Sequence, residues 1–172
     1  MIFFLPWENF QKSFTKTVII YNDFRFDLFE YIYNKMISIK QINEKDIDLC
    51  YELDSNTISL WSKKQWANEF KKEGTKIFGL LITNLVIGIC VFQVVLDEAQ
   101  IDYFVINNKF REKGFGTYLM SYLIKECEKL NVKKLFLEVS HTNFTAEKFY
   151  NRFDFSTVGI RRNYYKDGPM LF

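Results

Sequence analysis

Histidine occurs once in the 172 residues, proline twice and cysteine three times. With His141 the sole imidazole, any Ser-His-Asp or Cys-His site must use it. Ser140 is its immediate neighbour, which is the wrong geometry for a nucleophile and its base, and no G-x-S-x-G elbow is present. Cys50, Cys90 and Cys127 stand far apart, without C-x-x-C or zinc-ligand spacing. No metal is therefore expected. A sparse, odd set of thiols fits a reducing cytoplasm. Long apolar runs are also missing. The longest, Phe78–Ile82 and Val86–Phe92, hold about seven residues or fewer, against the ~20 that a membrane helix needs. Charge of one sign is lacking too. Lys+Arg 23 against Asp+Glu 21 leaves +2, which is no footprint for direct nucleic-acid binding.

Aromatic residues are abundant, and 11 of the first 35 residues are Phe, Tyr or Trp. That segment, Met1–Lys35, has no sustained period, although Val18–Tyr21 and Phe24–Phe29 suit short strands. It lacks the apolar core and cleavage site of a signal peptide. It reads as an extra packed element, as a partner-binding arm, or as sequence upstream of a natural start at Met36. The boundary is expected there, with 1–35 an extension and 36–172 the domain.

From Met36 the pattern is regular. Ile37 and Ile39 alternate with polar residues in a first strand. Ile47, Cys50, Tyr51 and Leu53 predict a helical stripe after Asn43-Glu44. Ser62 suits the N-cap of a second helix through Trp66 and Phe70. Runs 76–83, 85–95 and 100–106 predict an antiparallel meander. Residues 115–130 carry apolar positions at helical spacing, with Cys127 among them. A strand over 133–139, a helix over 142–153 and a strand over 155–160 follow. The order is β-α-α-β-β-β-α-β-α-β, an α/β fold in one domain.

Between strand and helix stands Arg111-Glu112-Lys113-Gly114-Phe115-Gly116-Thr117. Two glycines at a helix entrance let backbone N–H groups converge on an anion, and the helix adds a positive field. Leu119 occupies the place of a third dinucleotide-site glycine, and Thr117-Tyr118 is not the Lys-Ser/Thr of a nucleotide-triphosphate loop. A ligand-free glycine turn fits the same residues.

The turn resembles the signature of the GCN5-related N-acetyltransferase (GNAT) superfamily, Gln/Arg-x-x-Gly-x-Gly/Ala, through Arg111, Gly114 and Gly116. Val94–Ala99, Leu137-Glu138-Val139, Asn143, Phe149-Tyr150 and Arg161–Tyr165 further resemble the RimI-type ribosomal-protein-alanine N-acetyltransferases, over roughly 36–165. The resemblance implies a mixed central sheet with splayed middle strands. It implies acetyl-coenzyme A (acetyl-CoA) as cosubstrate, its pyrophosphate on residues 111–117, and its acetyl and pantetheine groups on the backbone of Phe104, Val105 and Ile106. The matching asparagine, Asn143, contacts the coenzyme. Glu138 is the implied proton acceptor and Tyr150 the implied donor to the leaving thiolate. The implied acceptor is a protein amino terminus, that of a small-subunit ribosomal protein, in the cytoplasm.

Read without the resemblance, Glu138 is equally a solvated strand-end carboxylate, Tyr150 a core aromatic, Asn143 a helix cap and Phe104–Ile106 ordinary core. Asp154 stands where the family pattern has glycine, Asn107-Asn108 where Asp-Pro is usual, and Leu60 where proline is common. The end, Lys166–Phe172, is shorter than usual. Acetylation of a small-molecule amine or an idle binding domain are the rival functions.

Overall fold

The computed structural model describes residues 1–6 and 36–160. The strands are β1 (Ile2–Pro6), β2 (Ile37–Gln41), β3 (Thr75–Ile82), β4 (Leu85–Val95), β5 (Glu98–Ile106), β6 (Lys134–Glu138) and β7 (Ser156–Gly159). The helices are α1 (Ile47–Ser55), α2 (Lys63–Lys71), α3 (Phe115–Lys129) and α4 (Phe144–Asn151). The seven strands form one sheet in the order β2-β3-β4-β5-β6-β1-β7. β5 and β6 pair in parallel, and the pairs on either side are antiparallel.

The expected elements from β2 to β7 are present, each within a few residues of its sequence limits. α1 deviates in its stripe: Cys50, Leu53 and Asp54 are buried, while Tyr51 is exposed. Ser62 caps α2 as expected. Its hydroxyl accepts from Gln65 N at 3.3 Å, and Gln65 Oε1 accepts from Ser62 N at 2.9 Å. Asp154 takes the left-handed backbone that its place demands, φ 62°.

The boundary expected at Met36 sets Ile2–Pro6 outside the domain, but this strand lies inside the sheet. It pairs with β6 from Ile2–Glu138 to Pro6–Lys134, and with β7 on its other edge. Phe3 and Leu5 are fully buried in the larger core. The reason is alternation: Phe3 and Leu5 point to one face, which a single short apolar run does not reveal without its partners. Residues 7–35, with the two strands expected there, and 161–172, with Arg161–Tyr165, lie outside the described residues.

Two cores sandwich the sheet. One holds α3 through Phe115, Leu119, Met120, Leu123, Ile124 and Cys127, together with Tyr150 of α4 and Phe153 just beyond it. The other holds Cys50 and Leu53 of α1 and Trp66 of α2. Burial pushes the Cys127 thiol up to about 12, as an inert core cysteine requires. Between β4 and β5 the register slips: Val91 faces Tyr103 and Phe92 faces Ile101, so Asp102 is the extra residue of a β-bulge. Ala99 and Ile101 accordingly enter the α3 core, whereas Tyr103 and Val105 enter the α1–α2 core.

Asp54 is fully buried, and its carboxylate organises the segment between α1 and α2. It accepts from Leu60 N (2.8 Å), Trp61 N (2.7 Å), Trp66 Nε1 (3.2 Å) and Tyr103 Oη (3.0 Å). Burial, and then the Asp54 charge, drive the Tyr103 phenol far above its ordinary range, so it remains a donor. A carboxylate out of water is tolerable only when so fully paired. Asp54→Leu leaves four donors without their acceptor. It should cost about 3 kcal/mol or more, read as a lower urea midpoint at unchanged slope.

Candidate active site

β5 and β6 pair only from Glu98–Lys134 to Ile101–Leu137. Beyond that point β5 stays paired to β4 as far as Ile106–Gly88, while β6 stays paired to β1 as far as Glu138–Ile2. The two middle strands therefore part company at residues 102 and 138, and no other strand among the described residues pairs with that edge of β5. A cleft of about 750 Å³ opens at this fork.

Eleven of the thirteen residues singled out from sequence line that cleft: Phe104, Val105 and Ile106 on the open edge of β5, Arg111, Glu112, Gly114, Gly116 and Thr117 at the turn, and Glu138, Asn143 and Tyr150 opposite. Two lie elsewhere. The Phe115 side chain is buried in the α3 core, with its ring 6.0 Å from Phe110. Lys113 Nζ donates to Lys109 O at 2.8 Å and sits over the Phe110 ring, so its side chain braces the turn from outside.

The turn has the backbone of an anion cradle. Glu112 and Gly114 both take positive φ, 60° and 85°. Gly114 is the N-cap of α3 and brings no side-chain cap, and the first turn holds no acidic residue. The helix entrance thus faces the cleft with no acid in its first turn, although Glu112 stands just before it. A Cβ on Gly114 would meet nothing within 4 Å, whereas one on Gly116 would lie 3.3 Å from Phe149 Cε2. Arg111 Nε donates to Ile106 O at 3.0 Å, tying the turn to the end of β5. Lys148 of α4 and Arg152, its C-cap, also line the cleft, and Arg152 lies over the Phe149 ring. The sequence reading passed over both cations, because α4 showed only its apolar stripe.

Glu138 ends β6 half-buried, with Leu137 turned to the core on the other face. Tyr150 is buried among aromatic rings: Phe3 at 6.1 Å, Phe149 at 5.3 Å and Phe155 at 5.7 Å between centroids. Asn143 does cap α4, accepting from Ala146 N at 3.0 Å, and also lines the cleft. Among the described residues no group of His, Cys, Asp and Glu is arranged to hold a metal ion. No helix there is long and apolar enough to cross a membrane.

The glycine turn at the entrance of α3 and the edge of β5 left open among the described residues thus meet in one cleft. The profile of the Acetyltransferase (GNAT) family matches residues 41–155, and the chain belongs to that family of acetyl-CoA-dependent N-acetyltransferases. It is 31% identical over 131 residues to the ribosomal protein bS18-alanine N-acetyltransferase of Escherichia coli K12, covering 76% of this chain and 88% of that one. The putative enzyme of that name from Bacillus subtilis is 27% identical over 132 residues, covering 76% and 87%. The crystal structure of the Escherichia coli ribosomal-protein-S18-alanine N-acetyltransferase superposes with a TM-score of 0.73 at 31% identity, covering 78% and 88%. Ard1 from Thermoplasma volcanium superposes at 0.68 with 25% identity, covering 76% and 89%.

Proposed function

We propose that this enzyme acetylates a protein α-amine, that of the amino-terminal alanine of small-subunit ribosomal protein S18, in the cytoplasm. The observation that carries the reading is the fork itself, where Glu138, Tyr150, the open edge of β5 and the residues 111–117 turn share one cleft. The names of the Escherichia coli and Bacillus subtilis relatives supply the acceptor.

Acetyl-CoA supplies the acetyl group as an activated thioester. The N–H groups at the Gly114–Thr117 helix entrance hold its pyrophosphate, with Arg111 adding charge. Unpaired N–H groups on β5 between Phe104 and Ile106 hold the acetyl carbonyl and the charge that grows on it. Glu138, directly or through a water, takes one proton from the acceptor's ammonium. The neutral amine then forms the new C–N bond as the C–S bond breaks. Tyr150 gives its phenolic proton to the departing sulfur. The nitrogen, cationic once the C–N bond has formed, sheds its second proton through solvent to the tyrosinate, which leaves a neutral amide. Glu138 releases its proton to water. Attack is direct, so the chemistry needs no covalent intermediate on a side chain.

An acetyl-CoA incubation with peptides starting in alanine, peptides starting in other residues, and simple amines, read by mass spectrometry, tests the reading. Acetylation confined to the α-amine of the alanine peptide of S18 is the expected result. Preference for simple amines, or no product with any acceptor, overturns it. Gly116→Val should weaken acetyl-CoA binding by at least about tenfold, because its side chain intrudes on the cradle. The melting temperature should fall as well, since the new Cβ starts 3.3 Å from the Phe149 ring. Calorimetric titration and thermal unfolding of the apo-protein check the two parts separately.

A further inference from the structure

The bulged residue of β5 has no part in the chemistry so far, yet its position is singular. Asp102 is the extra residue at the register slip between β4 and β5, and it is also the first residue of β5 beyond the last pair with β6. Glu138 is the first beyond that pair on β6. Paired strands run about 4.8 Å apart, so two carboxylates stand on either side of the mouth of the fork. Both line the cleft and both are half-buried. Bulges beside active sites commonly re-aim one side chain, and this one switches the faces of its neighbours Ile101 and Tyr103.

The surroundings give that negative charge little relief. Burial is the main force raising the Asp102 carboxyl above its ordinary range. Lys72 pulls it back, and Glu69 and Glu138 add to the rise. These are the charged groups that face it, from the end of α2 and from β6. Glu69 is itself buried. One of its oxygens is paired with Lys72, and the other, Oε2, has no hydrogen-bond partner among the described residues. A site where Asp102 meets two further carboxylates and a single lysine, partly out of water, favours a cation. The reaction brings one. An α-amine, with a pKa of about 8, arrives mostly as ammonium at neutral pH.

We propose that Asp102 is the residue that receives the acceptor's α-ammonium, holding it by a charge-assisted hydrogen bond at the fork while Glu138 removes one of its protons. Asp102 stays ionised throughout. One proton passes from nitrogen to Glu138, and the remaining N–H groups keep the amine beside Asp102 with its lone pair free for the thioester carbon. The inference rests on the N-terminal acetyltransferase reading and adds the group that recognises the ammonium.

Asp102→Asn should raise the acceptor KM about tenfold or more, the usual worth of a hydrogen bond to a charged group, and leave the KM for acetyl-CoA within twofold. In the wild type, acceptor KM should climb as the pH falls through the raised range of Asp102, because protonation removes the charge. In Asp102→Asn it should be high and flat over that range. The variant should be no less heat-stable than the wild type. An acid whose folded pKa lies above its unfolded one costs stability when ionised, and asparagine removes that cost. A residue that merely held the bulge together would give the opposite stability result.

Asp102→Ser serves as a second variant should asparagine disturb the strand, and Asp102→Glu should restore part of the affinity. Independently, a peptide with a trimethylated amino terminus should compete with the acceptor on the wild type better than the same peptide acetylated. Unchanged acceptor KM in folded Asp102 variants, or equal competition by the two peptides, overturns the assignment. A wild type that acetylates no peptide overturns the underlying functional reading instead, so the two failures are distinguishable.

Discussion

Glu138→Gln should lower kcat/KM for a peptide acceptor by about 10²–10⁴-fold, the usual contribution of a positioned general base. The deficit should shrink toward high pH, where free amine becomes abundant without help. Tyr150→Phe should also lose activity, but for the other half of the reaction, since it removes the proton donor to the leaving sulfur. An acyl donor with a more acidic thiol needs that proton less, so it should largely restore Tyr150→Phe and give no special relief to Glu138→Gln. The packing makes this comparison clean at Tyr150. Its ring is fixed by Phe3, Phe149 and Phe155, so loss of the hydroxyl leaves the ring contacts intact. Rates measured from mildly acidic to alkaline pH with both donors, at saturating coenzyme, decide the matter. Equal response of the two variants to the leaving group, or full activity of Glu138→Gln, refutes the roles.

A chain beginning at Met36 should fail to reach the native fold. Without Ile2–Pro6 the facing edges of β6 and β7 have no partner, and Phe3 and Leu5 leave a gap in the larger core. Truncating a buried phenylalanine or leucine alone costs about 2–5 kcal/mol, and whole domains are stable by only about 5–15 kcal/mol. Phe3→Ala and Leu5→Ala give the graded version, each lowering the urea midpoint strongly. Phe3→Ala should also depress kcat, because its ring supports Tyr150. If a chain starting at Met36 keeps its melting temperature and turnover within severalfold, β1 is no part of the working domain.

Where the sequence was readable, it was so for physical reasons that stand out locally. Alternation at Ile37 and Ile39, the Ser62 cap and the helical stripe from Leu119 to Cys127 each involve neighbours a few residues apart. The Arg111–Thr117 turn stood out because two glycines at a helix entrance mark a turn locally, but its binding role came only from the resemblance to the family signature. Long-range pairing was not. Nothing in Ile2–Pro6 says that its partners lie at Lys134–Glu138 and Ser156–Gly159. Asp54 looked like an ordinary polar residue on a helix, since its four donors come from α2, β5 and the segment before α2. The signal that could have found it is an acid next to Leu53 on the apolar side of the stripe. Asp102 sits at an outward position of a regular alternation, and a register slip against β4 leaves no mark in β5 alone.

The place of β1 in the sheet also bears on how the nascent chain folds. β1 is synthesised before β6 and β7, yet it can pair only after they exist, closing a loop of roughly 130 residues. At translation rates of about 5–20 residues per second, the Ile-Phe-Phe-Leu segment waits several seconds to about half a minute without its partners. A short β-prone, uncharged stretch exposed for that time is a site for aggregation or for a holding chaperone. Meanwhile β3, β4 and β5, joined by tight hairpins, and β2, which reaches β3 through α1 and α2, can assemble while the rest is still being made. The last event of folding is then the threading of the oldest strand between the two youngest, and that same event sets Phe3 against Tyr150.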